Sequence, residues 1–277
     1  MRQVEFTQPV TTTQFSPLQL RPRTLLGWMS DGFARWLAAN LVPFPALIAE
    51  HGTAVVVQSV GIDYVAPDLR FDESEWITVR CTMSADLTGD RLWMWVDYLA
   101  TDRLAARGTL IVRVVRLGEK DSLAARPGSL PGHLLARFAP GEIRELDARQ
   151  PARDAKSWPS GKYLALTSSW STVLCRSHCE VADQWSFIEM VELVTHARES
   201  MFTVDASEAA RHAVAAPLRS LRAVFRRPMF LFDECKVDTT VHTPDNGDGP
   251  VFHHEVRRAD RDSVHLSVWE QLDPLDT

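Results

Sequence analysis

Two hydrophobic periods alternate along the chain, and the switches between them predict its elements. Phe33, Trp36, Leu37 and Leu41 recur at i, i+3, i+4 spacing, which places one apolar face on a helix. Ser30-Asp31 offers that helix an N-cap and an acidic first turn. Pro43 and Pro45 must bend or interrupt it before His51-Gly52 closes it. Period two then takes over, predicting strands over 53–60, 62–65, 76–84, 92–99 and 109–117, with Thr88-Gly89-Asp90 as a hairpin turn. The first half therefore reads as a long helix followed by an antiparallel meander.

Both periods fail between about 118 and 161, where Pro127-Gly128, Pro131-Gly132, Pro140-Gly141 and Pro159-Ser160-Gly161 interrupt the pattern. A connection is expected there, with one short helix around 140–149. Afterwards the order repeats: 170–179 is strand-like, 185–201 helical, and 218–225, 235–242, 251–257 and 263–271 are strands, with Asp245-Asn246-Gly247 marking a hairpin. Pro67-Asp68-Leu69-Arg70-Phe71-Asp72-Glu73 matches Pro228-Met229-Phe230-Leu231-Phe232-Asp233-Glu234 in its Pro, Phe, Asp and Glu, 161 positions apart. Both copies follow a helix and a strand, and both precede further strands. An internal duplication is expected, with units over 1–117 and 163–277 joined by 118–162.

Composition narrows the function. The 277 residues are 45% apolar with a net charge of −6, ordinary globular usage that excludes a disordered or collagen-like chain. The negative balance supplies no field for phosphate backbones or anionic lipid, so neither nucleic acid nor a membrane is expected as partner. No apolar run approaches the ~18–20 residues of a bilayer span, and Met1 to Leu20 lacks the zones of a signal peptide; a cytoplasmic location follows as the expectation. Cys81, Cys175, Cys179 and Cys235 form no C-x-x-C pair, and Cys175 closes a strand-like Val173-Leu174-Cys175, so no metal is expected.

The segment Val60-Gly61-Ile62-Asp63-Tyr64-Val65-Ala66-Pro67, the Phe-Asp-Glu turn after it, and Asp183-Gln184-Trp185-Ser186-Phe187 leading into a helix with Thr195-His196-Ala197-Arg198-Glu199 together resemble the hotdog fold of the acyl-CoA thioesterases. The resemblance implies an α+β class chain, a double hotdog with each long helix wrapped by an antiparallel sheet. It also implies hydrolysis of an acyl thioester, with coenzyme A entering as part of the substrate and no separate cofactor. A bacterial specialised-metabolite setting is implied by resemblance to duplicated, motif-poor relatives. The family's pattern carries an Asp, a Gly-His pair and one or two Asn before the helix, where this chain has Glu180-Val181-Ala182-Asp183-Gln184-Trp185-Ser186. The missing His argues against the Asp/His acid–base chemistry of dehydratase-type relatives.

Thioester hydrolysis needs a carboxylate that activates water or attacks directly, and donors where the carbonyl oxygen becomes negative. A helix N-terminus supplies the donors. Asp183 and Glu180 precede the second helix, and either is a candidate; an Asp there also serves as a plain cap. Glu189 and Glu192 share a face further along that helix, catalytic or merely solvated, and Asp31 takes the corresponding part in the first unit. Tyr64 opens an alternative, because a double-hotdog branch of acyltransferase/decarboxylases resembles this layout and uses a tyrosine; a half-buried strand also favours Tyr for packing alone. A non-catalytic acyl-binding protein is the other alternative. Gln184, Trp185, Ser186, Trp28 and Ser30 flank the helix starts as substrate contacts. Arg226 and Arg227, clustered with Arg222 on one strand, offer phosphate contacts or a solvated edge. His178 and Glu180 share a strand face and form a possible pair, whereas His253 and His254 cannot. Nine Trp and twelve Phe, with Trp93 and Trp95 on one strand face, suit a bulky acyl group, although most aromatics serve the core. No Gly-x-Ser-x-Gly, Gly-x-Gly-x-x-Gly or Walker loop occurs. A homodimer or larger assembly is left open.

Overall fold

A computed structural model describes residues 1–118, 125–147, 149–157, 162–180, 183–204, 211, 214–243 and 249–274. The first element is a strand the hydrophobic pattern did not announce, β1 (Gln3–Pro9), whose burial alternates through Val4 and Phe6. Helix α1 (Pro22–Asn40) buries Leu25, Leu26, Trp28, Met29, Phe33, Trp36 and Leu37. It therefore starts eight residues before the expected Ser30-Asp31 cap. The apolar stripe already begins at Leu25, and Pro is well tolerated at the first helical position. The two prolines do break the helix: α2 (Phe44–His51) follows with Pro45 in its first turn, and Gly52 at φ +56° closes it, its N–H donating to Leu47 and Ile48 carbonyls.

The meander consists of β2 (Thr53–Tyr64), β3 (Trp76–Asp86), β4 (Arg91–Ala100) and β5 (Arg103–Arg116). One strand, β2, covers what the pattern split at Gly61. The Pro- and Gly-rich stretch that follows is no bare tether. β6 (Arg126–Pro127) pairs with β5, α3 (Gly132–Leu135) and Phe138 add to the core, and β7 (Ile143–Arg144) pairs with β3. Phe138 stacks on Trp36 at 5.4 Å, and Glu142 binds Arg2. The helix expected around 140–149 is replaced by a 3-10 turn at Pro140–Glu142 and by α4 (Gln150–Ser157).

In the second half β8 (Lys162–Val173) starts and ends earlier than expected, and a 3-10 turn takes Arg176–His178. His178 and Glu180 thus share no strand. Helix α5 (Phe187–Val204) is followed by β9 (Leu218–Phe225), β10 (Glu234–Thr243), β11 (Val251–Arg258) and β12 (Val264–Leu272). The hairpin expected at Asp245-Asn246-Gly247 lies outside the described residues.

All of these strands form one sheet in the order β1-β3-β4-β5-β2-β9-β12-β11-β10-β8, with β6 and β7 attached to the side. That order is the same list read outward in both directions from the β2/β9 seam. Helix α1 packs on β1, β3, β4 and β5, α5 packs on β8 and β10, and the two helices touch. At the seam Gly61 pairs with Arg222, residues separated by the same 161 positions as Phe71 and Phe232. The pseudo-twofold of the duplication therefore passes between them. The same residue type on both sides would face itself there, and two arginines so placed would repel. A glycine on one side instead makes room for the other side's side chain: a Cβ on Gly61 would stand 3.2 Å from Arg222 Cδ. Arg222 then reaches across, donating from Nη2 to both Asp63 oxygens at 2.7 and 2.8 Å and from Nη1 to the Ile62 carbonyl at 3.0 Å. Among the described residues no single helix is long and apolar enough to cross a membrane.

Candidate active site

The loop that leads into α5 is stitched to the turn that leads into β10. Leu231 N–H donates to Asp183 O at 2.9 Å, Trp185 N–H to Met229 O at 3.0 Å, and Phe232 N–H to Leu174 O at 2.9 Å. Asp183 and Phe232 take positive φ, +52° and +70°, to make these turns. Trp185 is buried edge-on between Phe225 and His265; His265 in turn donates from Nδ1 to Pro228 O at 2.9 Å. The first turn of α5 is capped by Ser186, whose Oγ accepts from Ile188 N–H at 3.3 Å and whose carbonyl accepts from Met190 N–H at 3.0 Å. Asp183, three residues earlier, is not the cap.

This arrangement gathers Glu180, Asp183, Gln184, Trp185, Ser186 and Glu189 at one helix end, where first-turn backbone N–H groups lack intrahelical acceptors. Their states differ. Asp183 is exposed, with Arg176 at 3.9 Å. Glu180 lies at the loop surface, yet crowding by protein atoms desolvates its carboxyl and pushes its pKa up. Glu189 is taken by Arg23 of α1, whose Nη2 stands 2.7 Å from Oε1; the hydrogen bond to Glu189 in turn raises the Arg23 pKa. Arg23 drew no attention in the sequence, because nothing in its spacing shows that α1 and α5 meet there. His178 accepts Cys175 N–H on Nδ1 at 3.0 Å.

The remaining candidates lie elsewhere. Asp31 is on the exposed side of α1 in mid-helix, with Ser30 half-buried beside it. Trp28 packs against Tyr98 at 6.4 Å between ring centroids. Tyr64 is buried and donates its hydroxyl to Leu20 O at 2.7 Å; burial drives its pKa far up, so it stays a neutral phenol. Arg222 sits within β9 at the seam, whereas Arg226 and Arg227 are exposed beyond the strand's end. Trp93 and Trp95 stack at 5.5 Å, alternating with the core residues Leu92, Met94 and Val96 and so on the face away from the helices, with Arg144 over Trp95.

At the equivalent end of the first unit, residues Phe15–Gln19 and Leu69–Asp72 line a groove of about 350 Å³. There the segment before α1 is fastened across the seam: the buried Gln19 amide donates to Leu218 O at 3.3 Å and accepts Leu218 N–H on Oε1.

Sequence reading missed a third feature, a buried polar cluster beneath α5. Glu270 of β12 and His254 of β11 are fully buried, and Arg198 of α5 is 6% exposed. His254 joins Thr239 Oγ1 at 2.8 Å through Nδ1 and Glu270 Oε2 at 3.2 Å through Nε2, and Thr195 donates to Glu270 Oε1 at 3.1 Å. Burial pushes the Glu270 pKa up, but the charge of Arg198 and the hydrogen bonds from His254 and Thr195 outweigh it and hold the carboxyl below its ordinary value. The signal was present: Leu266, Val268, Glu270 and Leu272 alternate in phase, as do Phe252, His254 and Val256.

The fold is that of an α+β double-hotdog chain, two helix-and-sheet units continuous across one seam. Solved structures share that architecture over the full length. A protein from Lactobacillus plantarum named as an oleoyl thioesterase superposes with a TM-score of 0.76 at 12% identity, covering 100% of this chain and 98% of that one. A 12:0-ACP thioesterase from Umbellularia californica gives 0.68 at 11%, covering 98% and 94%. An acyl-ACP thioesterase from Bacteroides thetaiotaomicron gives 0.64 at 9%, covering 98% of each. No family model and no curated protein matches the sequence.

Proposed function

We propose that this chain hydrolyses acyl thioesters, with Glu180 as general base and the N-terminus of α5 as the oxyanion site. One observation carries the reading: the turn closed by Glu180 N–H to Gln184 O at 2.8 Å and Asp183 N–H to Glu180 O at 3.0 Å sets a carboxyl in the loop directly before a helix start, and desolvation pushes the pKa of that carboxyl up, the direction that favours a general base. Glu180 takes a proton from water as its oxygen attacks the thioester carbonyl. The carbonyl oxygen becomes negative facing the first-turn N–H groups, the C–S bond breaks, and the proton passes to the leaving thiolate, giving a carboxylic acid and a free thiol. Architecture shared with proteins named as thioesterases supports this choice over other chemistries. A bulky acyl group rests on the wider aromatic supply, including Trp28 and Trp185 near the helix starts, and not on Trp93 and Trp95, which face away from the helices.

Tyr64 is not favoured as nucleophile, since its hydroxyl is buried and committed to Leu20. The test is thiol release from dodecanoyl-CoA and from the same acyl group on a carrier protein. Glu180→Gln should lower kcat by about a hundredfold or more, whereas Asp183→Asn and Tyr64→Phe should stay within a few-fold of wild type. In the wild type, kcat/KM should fall as pH drops through the raised Glu180 pKa, because only the carboxylate accepts a proton. Full activity in Glu180→Gln removes the assignment; tight acyl-CoA binding without thiol release replaces hydrolysis with a binding role.

A further inference from the structure

We propose that the interior of the C-terminal unit recognises an oxygen on the acyl group, a keto or hydroxyl oxygen that accepts hydrogen bonds from Arg198; this rests on the thioester reading above. The first unit provides an internal control. Counted outward from the seam, Leu110 pairs with Val60 as Glu270 pairs with Leu221, Val96 holds the place of His254, and Cys81 the place of Thr239. The helices open 165 positions apart, α1 at Pro22 and α5 at Phe187, and their buried positions coincide at that offset, so Phe33 of α1 holds the place of Arg198. All four counterparts are buried and apolar. The fold is therefore completed without polar groups at these positions, and a buried ion pair is in general no more stabilising than well-packed apolar side chains. Folding alone gives no reason for the cluster.

Its hydrogen bonding is also incomplete in one direction. Thr195, Thr239, His254 and Glu270 bond to one another. Arg198 Nε stands 3.2 Å from Glu270 Oε2 at an angle that makes no hydrogen bond, and both Nε and Nη1 are buried without an acceptor among the described residues. Buried native donors ordinarily have partners. Because Glu270 already balances the guanidinium charge, a neutral oxygen fits the two free donors better than a second carboxylate. Arg198 lies three turns into α5, on the helix whose N-terminus is the proposed reaction site, so the oxygen it binds lies along the acyl chain rather than at the thioester.

The experiment measures calorimetric binding of non-hydrolysable thioether analogues of dodecanoyl-CoA, either unsubstituted or carrying one keto or hydroxyl oxygen at successive positions along the chain. Wild type should bind at least one oxygenated analogue about tenfold more tightly than the unsubstituted one. That ratio should fall to about one in Arg198→Met. A second variant guards against misfolding: Arg198→Phe, Thr239→Cys, His254→Val and Glu270→Leu together install the first unit's residues and strand no charge, and its ratio should also be about one, with a cooperative thermal transition confirming the fold. Equal binding of every analogue by wild type, or a tenfold preference retained in the four-residue variant, overturns the proposal while leaving hydrolysis standing. Failure of wild type to bind any analogue overturns both.

Discussion

The two units build one architecture on different interiors. In the first, Phe33 of α1 closes over Cys81, Val96 and Leu110, and the helix-entry segment leaves an open groove against Leu69–Asp72. In the second, Arg198 of α5 closes over Thr239, His254 and Glu270, and the entry loop is fastened to the following turn by backbone hydrogen bonds. A single continuous sheet ties them together, so the apolar unit can supply stability while its sister carries buried charge. Duplication permits that division: buried charge that would unsettle a lone domain is borne by half of a larger core.

The sharpest way to break this comparison is to convert one position only. Glu270→Leu copies the residue of the first unit, yet it leaves the buried Arg198 guanidinium with only Glu199, an exposed carboxylate 3.9 Å from Nη2. We expect a loss of about 3–5 kcal/mol in urea unfolding, far more than the four-residue exchange described above. A neutral result would mean that the cluster is not an interdependent charge network. The Glu270 pKa is held below its ordinary value, so its contribution to stability is present above the ordinary carboxylate range and is lost as pH falls through the lowered folded value.

The first unit has its own buried carboxylate, and it serves a different purpose. Glu142 accepts Arg2 N–H at 2.6 Å, Arg2 Nη2 at 2.6 Å and Ala139 N–H at 3.0 Å, clamping the connecting segment to β1. Burial opposes ionisation, but these donors prevail and lower its pKa from 4.5 to about 2. The sign follows from the lowered value: the stabilisation is complete above pH 4.5 and disappears as pH falls towards about 2. Glu142→Gln should cost about 3 kcal/mol at neutral pH, and its unfolding free energy should depend less on pH across that acid range than the wild type's. An unchanged pH profile would show that Arg2 does not hold the carboxylate in solution.

Periodicity made most strands and both long helices legible, because each buries one regular face. It misplaced the start of α1, where a proline opens the helix and the pattern alone favoured Ser30-Asp31 as the cap. It also passed over β1, whose two apolar positions, Val4 and Phe6, are too few to stand out. The repeated Pro-Phe-Asp-Glu turn did reveal the duplication. The gathering of Glu180 to Glu189 at one helix end was visible as a contiguous segment. Their differing states were not, since spacing does not show how far Glu180 is desolvated, and the capture of Glu189 by Arg23 depends on an element distant in sequence. The pairing of Gly61 with Arg222 was hidden for the same reason, as it arises only where the two units meet.

That pairing also offers the smallest and most local test of the two-unit comparison. Gly61 has ordinary strand geometry and is required for space rather than for a positive φ: an added Cβ would stand 2.7 Å from Thr109 Oγ1 and 3.2 Å from Arg222 Cδ. Gly61→Ala should therefore force Thr109 to rotate and tilt Arg222 away from Asp63, costing about 1–2 kcal/mol. If the seam follows from a twofold relation, the share of the loss that comes from Arg222 should vanish when Arg222 is also shortened, leaving the cost of turning Thr109, because Gly61→Ala with Arg222→Ala puts the same small residue on both sides of the axis. The cost of the double change should then be less than the sum of the two single ones in a double-mutant cycle. Strict additivity would show that Gly61 and Arg222 do not share their space at the seam, and that the asymmetry between the units does not extend to the axis relating them.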